Sequence, residues 1–496
     1  MSFHSSFKHA RVALAASMVA SLLAGCAIGP DYKRPDVAVP TDFKEAGTLW
    51  RVTRPAPRAA IDGRWWTAFG DETLAELCER ALKANQTIAE YEAAYRAARA
   101  AVASSRASLF PTVSLSGAGT RSGTGAKAAS SSSSSATSGA SNGQYLSKSV
   151  SVSLDASWEP DLWGSVRRSI ESADATAQAS AAQLAAEQLS TTASLAVDYF
   201  TVRLADADLA ILGEERTVDA ELLALTEASY RQGVSSYDDV RTAHNTLRAI
   251  DESIASAQLT RRQYEHAIAV LVGEPPATFS LPVRKDFSFA LPALPRTVPS
   301  ELLERRPDVV QAERTMAEYN AKIGVAKAGY FPSLTLSASG GYDGASLAHL
   351  VSLPTRVWSL GLSVAQTVFD AGATSASVRQ ARASYDQQVA AYRQTVLSAF
   401  QDVEDYLSAV EIGAAQALAA QEVARRSGEL AVSKRKAFDA GTASRIDVLD
   451  TQLTEIGDRK TWLDYSGQTL QSAVLLVKAL GGGWNGDTAP VLARRE

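Results

Sequence analysis

The sequence predicts an α+β membrane protein, an internally duplicated subunit with four transmembrane β-strands and long coiled-coil α-helices. Three observations lead to this fold class. Short motifs from the first half of the 496-residue chain return in the second half. Each half has two segments in which apolar and polar residues alternate, as in strands. Each half also has a long proline-free run whose apolar residues follow the spacing of packed helices.

The duplication appears as motifs that return at a nearly constant spacing. The returning pairs are Phe110-Pro111 with Phe331-Pro332, Gly164 with Gly372, and Gly233 with Gly441. Both glycines return 208 positions later and the Phe-Pro step returns after 221, so the first half carries a 13-residue insertion. The insertion includes the serine run 130–135, which predicts a mobile loop. Each Phe-Pro step predicts a switch from helix to strand, because proline disfavours helix in the residue before it.

The strand segments alternate with period two. In 149–158, apolar residues at even positions alternate with serines and Asp155, and ten residues suit one tilted pass through a bilayer. Segments 112–117 and 333–338 alternate in the same way, and 358–364 does so less cleanly. Aromatic residues near the strand ends suit an interfacial belt. A soluble antiparallel sheet with one wet face is the alternative explanation.

The helical runs are Ser165–Arg231 and its counterpart 374–440, neither of which contains proline. One continuous helix over either run would reach about 100 Å. The apolar residues between Val389 and Val410 are spaced by three and four positions, which is typical of coiled coils. We therefore expect these helices to pack side by side.

The N-terminus predicts export and lipidation. Lys8 and Arg11 precede a short apolar run, 12–23, which ends at Leu23-Ala24-Gly25-Cys26. This ending resembles a bacterial lipobox, in which the cysteine is acylated and becomes the first mature residue. Acyl chains anchor a protein through buried methylenes. By the same resemblance, Ala27 favours transport to the outer membrane. An ordinary export signal with an incidental cysteine is the alternative.

Composition argues against several other classes. The formal net charge is -5 and the pI is about 5.7, so no nucleic-acid partner is expected. The five histidines have no metal-ligand spacing, and no phosphate-cradling loop or nucleophile elbow is present. We expect no enzyme activity, no metal and no cofactor other than the covalent lipid on Cys26. With Cys26 acylated, Cys78 is left as a packing residue.

Four strands cannot form a closed barrel by themselves. Open strand edges are not tolerated in lipid, and known single-chain barrels begin at about eight strands. Several chains must therefore combine, and three copies would supply twelve strands.

Five motifs follow one another in a set order along the chain. They are Trp65-Trp66-Thr67-Ala68-Phe69-Gly70-Asp71, Pro160-Asp161-Leu162-Trp163-Gly164, Glu301-Leu302-Leu303-Glu304-Arg305-Arg306-Pro307-Asp308-Val309, Val368-Phe369-Asp370-Ala371-Gly372 and Lys478-Ala479-Leu480-Gly481-Gly482-Gly483-Trp484. Together they resemble the signatures of outer-membrane factor lipoproteins, the TolC-like, NodT-type channels of RND efflux systems.

The resemblance implies a trimeric 12-stranded β-barrel continuous with a periplasmic α-helical barrel. It implies a homotrimer in contact with outer-membrane lipid. The expected partners are a periplasmic adaptor (membrane fusion) protein and an inner-membrane RND transporter. The expected location is the outer membrane of a Gram-negative bacterium, lipid-anchored, with a large periplasmic part. Drugs or other small toxic compounds would pass through without chemical change.

The predicted domain boundaries follow from the repeat and the resemblance. Residues 1–25 form a signal peptide, 26–70 a lipidated segment and equatorial belt, 71–290 the first repeat, 291–480 the second repeat, and 481–496 a tail. The first repeat is expected to hold a hairpin at about 112–158 and helices at 165–231 and 239–271. The second is expected to hold a hairpin at about 333–368 and helices at 374–440 and 446–480. The predicted helix-strand swivels are Phe110, Pro111, Gly164, Phe331, Pro332 and Gly372.

The resemblance also implies a periplasmic gate. Asp447 and Asp450 match the inward acidic positions of one helical tip, and Asp239 matches a position of the partner tip. Three copies of each carboxylate around one axis would attract cations and raise one another's pKa. The alternative is a capping role, because an acidic residue after a glycine turn often caps the next helix.

The predicted latch departs from the family pattern. Phe438 replaces an aromatic hydroxyl, and Ala443 replaces an expected basic residue. Arg445 could pair instead with Asp239 or Asp238 and so hold the gate closed.

Two other functions remain open from the sequence alone. A duct for type I protein secretion would share the fold. A structural envelope-spanning coiled-coil lipoprotein would not need membrane strands.

Overall fold

The computed structural model describes residues 28–45, 63–124, 145–292 and 305–484. The predicted signal peptide, Cys26, the serine run and residues 485–496 lie outside this part of the chain. The described residues form two compact units. The first comprises the described parts of Met1–Lys33, Ala98–Thr176 and Met316–Gln388, and the second those of Arg34–Ala97, Ala177–Thr315 and Val389–Glu496. Both repeats contribute to each unit, so the units do not follow the predicted boundary between 71–290 and 291–480.

The chain alternates helices with pairs of strands. The helices are α1 Glu72–Ala84, α2 Gln86–Ala107, α3 Ser165–Arg231, α4 Tyr237–Leu271, α5 Pro307–Ala328, α6 Ala373–Asp439 and α7 Arg445–Ala479. The strands are β1 Thr112–Thr124, β2 Tyr145–Trp158, β3 Ser333–Gly344 and β4 Arg356–Ala365. Short 3-10 turns occupy Trp65–Phe69, Leu347–His349 and Leu353–Thr355. Within the described residues, no helix has both the length and the apolar composition that crossing a membrane requires.

The strands form one antiparallel sheet in the order β1-β2-β3-β4. Thr112 is opposite Ser157, Trp158 is opposite Leu336, and Ser333 is opposite Ala365. This register puts the odd residues of β1 on the same face as the even residues of the other three strands. That face carries Val113, Leu115, Val150, Val152, Leu154, Leu334, Leu336, Leu360, Leu362 and Val364.

The two faces of the sheet differ in polarity. Side chains on the apolar face are exposed within the subunit, including Leu115 at 75% and Leu360 at 76%. The opposite face, which we call the polar face, carries serine, threonine and aspartate, including Ser116, Ser153 and Asp155. With exposed leucines on one face and hydroxyls on the other, the two faces suit different surroundings.

The predicted swivels lie where helices meet strands. The Phe110 amide closes the end of α2 by donating to the Ala107 carbonyl (3.0 Å), and Pro111 precedes β1. Phe331 and Pro332 repeat this arrangement between α5 and β3, with the Phe331 amide donating to the Ala328 carbonyl (3.0 Å). Proline cannot extend the helical hydrogen bonding, so the chain continues as strand.

Glycines mark the return from strand to helix. Gly164 (φ 82°) precedes α3 and Gly372 (φ 90°) precedes α6, and positive φ is a conformation that glycine adopts without strain. An aspartate caps each helix. Asp161 accepts from the Val166 and Arg167 amides (3.1 and 2.9 Å), and Asp370 accepts from the Gly372 and Thr374 amides (2.8 and 2.7 Å). The second hairpin ends at Ala365, earlier than the predicted 368, because the following residues form this capped turn.

A cradle in the first unit holds residues 28–31. The Ile28 amide donates to the Trp163 carbonyl (3.1 Å), and the buried Arg168 donates to Asp31 (2.9 Å). A Cβ on Gly324 would lie 2.8 Å from the Ile28 carbonyl oxygen, so only glycine fits beneath this segment. The chain is therefore fixed two residues after the predicted lipidation site.

The core of the second unit is built around the Trp-Trp motif. Trp65 and Trp66 are almost fully buried and pack edge to face, with ring centroids 5.9 Å apart. Asp71 caps α1 by accepting from the Leu74 amide (2.9 Å), and it also accepts from the Tyr199 hydroxyl (3.0 Å). Cys78 is fully buried in the same core, and burial raises the pKa of its thiol. These contacts join the N-terminal motif to α3.

Two buried arginines fasten the loop that follows α4 and the start of α5. Arg203, fully buried, donates to Asp206 (3.0 Å) and to the Pro282 carbonyl (2.8 Å). Arg306 of the Arg-Arg-Pro-Asp motif donates to Asp308 (2.7 Å) and to Asp402 (3.0 Å). Removing one partner of such a buried pair leaves an uncompensated charge, so these arginines fix the loop positions.

Candidate functional site

The predicted gate residues lie at two helical turns in the second unit. The turn after α3 is closed by Gly233 (φ 76°), and the turn after α6 by Gly441 (φ 74°). Each helix ends in the same hydrogen-bond pattern. The Gly441 amide donates to the Phe438 carbonyl and the Thr442 amide to the Ala437 carbonyl, both at 2.8 Å. Such a glycine cap ends a helix sharply and turns the chain back.

The helix after each turn begins with a capping box. The Ser236 amide donates to Asp239 (2.8 Å), and the Asp239 amide donates to the Ser236 hydroxyl (3.1 Å). Ser444 and Asp447 repeat this exchange at 2.9 and 3.1 Å. Because these serines cap the helices, α4 and α7 begin before the predicted positions 239 and 446.

Capping explains the acidity of two predicted gate residues within one subunit. The Ser444 amide and hydroxyl lower the pKa of Asp447, and the Ser236 hydroxyl and amide lower the pKa of Asp239. The capping role considered from the sequence is therefore present at both positions. Capping is compatible with a gate role. That three copies of each carboxylate around one axis raise one another's pKa stays a prediction.

Asp450 differs from these two carboxylates. It lies one turn after Asp447 on the exposed face of α7, as the three-residue spacing dictates. No hydrogen bond or ion pair involves its carboxylate in the part of the chain that the structure describes. Asp450 is thus a carboxylate whose position leaves it available for an ionic role at the tip.

The sequence-based partner for Arg445 was wrong. Arg445 makes a two-pronged ion pair with Glu221 of α3, from Nε to Oε1 (2.6 Å) and from Nη2 to Oε2 (2.7 Å). Asp239 is occupied by its own capping box, and Asp238 lies 3.9 Å from Arg241. We call the Arg445–Glu221 pair the tip latch. It raises the pKa of Arg445 and lowers that of Glu221, each chiefly through their shared hydrogen bonds.

The latch belongs to one repeat only. The Arg445 guanidinium lies 5.9 Å from the centre of the Phe438 ring, a cation–π distance. The positions 208 residues earlier are Tyr237 and Tyr230, whose ring centroids lie 5.7 Å apart. The second repeat therefore has Arg445 where the first repeat has Tyr237. This arginine supplies the cation that binds Glu221.

Two neighbouring acidic residues, of which Asp219 is buried, lie near the latch on α3. Asp219 is only 3% exposed, and its Oδ2 has no hydrogen-bond partner among the described residues. Burial raises the pKa of Asp219, and burial together with the charge of Asp219 raises the pKa of Glu215. Sequence analysis could not identify this pair, because acidic residues on a long helix are usually exposed.

The polar face of the sheet holds a carboxylate that the sequence analysis did not single out. The Ser116 and Ser153 hydroxyls each donate to Asp155 Oδ2 at 2.8 Å. The strand alternation was sufficient to place Asp155 on the polar face. The described residues contain no group of three or more His, Cys, Asp or Glu side chains arranged to hold a metal ion.

Comparison with known proteins gives consistent matches over most of the chain. A family model described as outer membrane efflux protein matches residues 77–274 and 298–482. The probable efflux pump outer membrane protein TtgC of Pseudomonas putida is 30% identical over 472 residues, which cover 95% of each chain.

Two solved structures are similar in sequence and in fold. The outer-membrane channel OprN is 29% identical with a TM-score of 0.78, and the match covers 93% of this chain and all of OprN. The open state of the Neisseria gonorrhoeae MtrE outer membrane channel is 28% identical with a TM-score of 0.76, covering 93% of this chain and 99% of MtrE.

We expect Asp219→Asn to stabilise the protein at pH 7.5. An acid whose pKa is raised by folding lowers stability while it is charged, and this loss disappears as the pH falls through the raised value. A buried acceptor without a hydrogen-bond partner costs about 1–3 kcal/mol, and more when it is charged. Thermal unfolding in detergent should show a higher midpoint for the variant at pH 7.5, and the difference should shrink toward pH 5.

Asp208→Asn is the matched control. Asp208 lies on the same helix, and burial also raises its pKa, but it pairs with Lys460 (3.3 Å). Because the attraction of Lys460 offsets part of the burial cost of Asp208, its substitution should raise the unfolding midpoint less than Asp219→Asn does. A lower midpoint for Asp219→Asn would mean that Asp219 has a stabilising partner.

Proposed function

Because the chain belongs to the outer membrane efflux protein family, we propose that it is the passive exit channel of a tripartite efflux pump. It is an outer-membrane protein of a Gram-negative bacterium, and it would carry drugs or other small toxic compounds to the outside. Transport through such a channel needs no catalytic group, so we propose that the protein is not an enzyme and uses no cofactor.

The two-faced sheet is the observation that carries this proposal. Apolar side chains on one face suit lipid, and hydroxyls on the other suit a water-filled pore. We propose that three copies join their sheets into a 12-stranded barrel, because β1 and β4 have open edges within the described part of one subunit. The long helices would form the periplasmic barrel.

The proposed assembly also includes a lipid anchor and two partners. We propose that Cys26 carries covalent lipid, and the cradle around residues 28–31 would hold the chain next to that anchor. A periplasmic adaptor protein and an inner-membrane RND transporter would complete the pump. Contact with outer-membrane lipid follows from the apolar face of the sheet.

We propose that the two helical tips form the periplasmic gate. Asp447 and Asp450 would supply rings of negative charge in the assembled channel, with Asp239 at the neighbouring tip. The tip latch would hold α7 against α3 in the closed state. The MtrE structure is of an open state, which supports a gate that can change conformation.

Conductance and ion selectivity in planar bilayers can distinguish the effect of the ring of charge from the effect of helix capping. We expect wild-type channels to be mostly closed and cation-selective. Asp447→Asn/Asp450→Asn should conduct more and lose cation selectivity, because the carboxylates no longer attract cations. Ser444→Ala removes the cap of α7, at a cost of about 1 kcal/mol, but keeps both charges.

Selectivity should therefore persist in Ser444→Ala. If Ser444→Ala loses selectivity as fully as the double variant, the carboxylates act only through the helix cap. If correctly assembled wild-type trimers never conduct, the channel proposal fails.

The tip latch predicts a coupled effect on opening. Glu221→Gln and Arg445→Gln should each raise the open probability in planar bilayers, and the double variant should add little, since both remove one interaction. A partly exposed ion pair of this kind contributes about 0.2–1 kcal/mol, so the shift should be modest.

Arg459→Gln is the control for the latch. Arg459 also joins α7 to α3, through Glu214 (2.8 Å), but it lies 14 residues further from the tip. Its loss should leave the channel closed. Equal opening by Arg459→Gln would contradict a latch specific to the tip.

A further inference from the structure

The charged residues of the four strands are separated by face. The two acidic residues, Asp155 and Asp343, both lie on the polar face. The three basic residues, Arg121, Lys148 and Arg356, all lie on the apolar face. The proposed pore face therefore carries only negative charge, and the proposed lipid face only positive charge.

Two of the basic residues are directly opposite each other. Arg121 of β1 pairs with Lys148 of β2 in the antiparallel register. Like charges in directly opposite positions destabilise a sheet. Both side chains are exposed, and neither has a carboxylate partner in the described residues. An anion bound between or above the two side chains would offset this repulsion.

The three basic residues also lie at similar distances from the helical ends of their strands. Arg121 is nine residues from Thr112, Lys148 ten from Trp158, and Arg356 nine from Ala365, counted from the strand ends that adjoin helices. At about 3.3 Å per residue and a tilt of about 40°, these spacings correspond to a height of about 25 Å. This equals the height of the apolar band of an outer-membrane barrel, so all three lie at its far edge.

The ligand is identified by the chemistry at that edge. On the proposed function, the far edge is the external one, where the outer leaflet consists of lipopolysaccharide. We propose that Arg121 and Lys148 bind a phosphate group of the lipid A headgroup, and that Arg356 contacts the same layer of phosphates. Arginine and lysine are the residues that bind phosphate.

The surrounding residues favour lipid A over free phosphate. Val150, Val152 and Leu154 follow Lys148 on the same face and lead toward the helical end of the strand. Acyl chains attached to the bound headgroup would cover these side chains, whereas inorganic phosphate would leave them exposed. The site therefore anchors one kind of lipid against the channel wall.

Binding of lipid A to purified trimers tests the proposal. Native mass spectrometry would measure retention of diphosphoryl lipid A from phosphatidylcholine vesicles that contain it. We expect Arg121→Gln/Lys148→Gln to weaken binding by about thirty-fold, the factor for two cationic side chains at an anionic lipid surface. Arg241→Gln/Arg248→Gln removes two exposed charges from α4 and should bind lipid A as the wild type does.

Two further binding measurements identify the source of the phosphate. Dephosphorylated lipid A should not be retained, and inorganic phosphate should not displace bound lipid A. Equal retention by the wild type and the Arg121→Gln/Lys148→Gln variant would overturn the proposal. So would equal retention of dephosphorylated lipid A, or displacement by inorganic phosphate.

A stability measurement guards against misfolding of the double variant. The two substitutions remove the repulsion between Arg121 and Lys148. In pure phosphatidylcholine, the Arg121→Gln/Lys148→Gln variant should therefore unfold at or above the wild-type temperature. Lipid A should then raise the unfolding temperature of the wild type more than that of the variant. An equal rise in both proteins would overturn the site.

Conductance of the same proteins in phosphatidylcholine bilayers separates this inference from the proposed function. Channels that conduct but bind lipid A equally with and without Arg121 and Lys148 refute only the lipid site. Trimers that retain lipid A through these residues but never conduct refute only the channel.

Discussion

A backbone amide inside a lipid bilayer has no water to bond with, and this constraint governs how the four strands can be used. Within the described residues, β2 and β3 are paired on both sides, whereas β1 and β4 each have one free edge. A sheet of this kind is unstable in lipid unless β1 of one copy pairs with β4 of another. Closing those edges with three copies would give the proposed barrel, with its water-filled lumen and its lipid-facing surface.

The rest of the chain holds the sheet and the tips in place. Phe-Pro steps and capped glycine turns bound each strand pair, so every strand starts and ends at a set residue. Arg203 fastens the loop that follows α4, and Arg306 joins the start of α5 to α6. A Cβ on Gly481 would lie 2.3 Å from the Arg305 carbonyl oxygen, which explains why the C-terminal signature needs glycine. The Trp-Trp, Arg-Arg-Pro-Asp and C-terminal signature motifs are thus packing requirements of the second unit, while the tips carry the residues proposed for gating.

Much of this arrangement could be predicted from local sequence. Period-two alternation located the strand segments, and the Gly turns located the helical tips, because both signals are local. The partner of Arg445 could not be predicted, since Glu221 is 224 residues away and the register of α3 against α7 decides the contact. The capping role of Asp239 and Asp447 could be predicted from the serines three residues earlier, Ser236 and Ser444. The burial of Asp219 was not, because it depends on which helix covers α3.

Disulfide cross-linking between the two open edges tests the central claim most directly. In a Cys78→Ser background, cysteines would replace Ser116 or Thr120 on β1 in combination with Ser359 or Ser363 on β4. Paired strands bring opposite Cα atoms to about 4.5–5.5 Å, within disulfide range. Our account predicts that at least one combination yields a ladder of linked chains that stops at the trimer. Monomers for every combination, or a ladder that continues past the trimer, would contradict closure of the sheet by three copies.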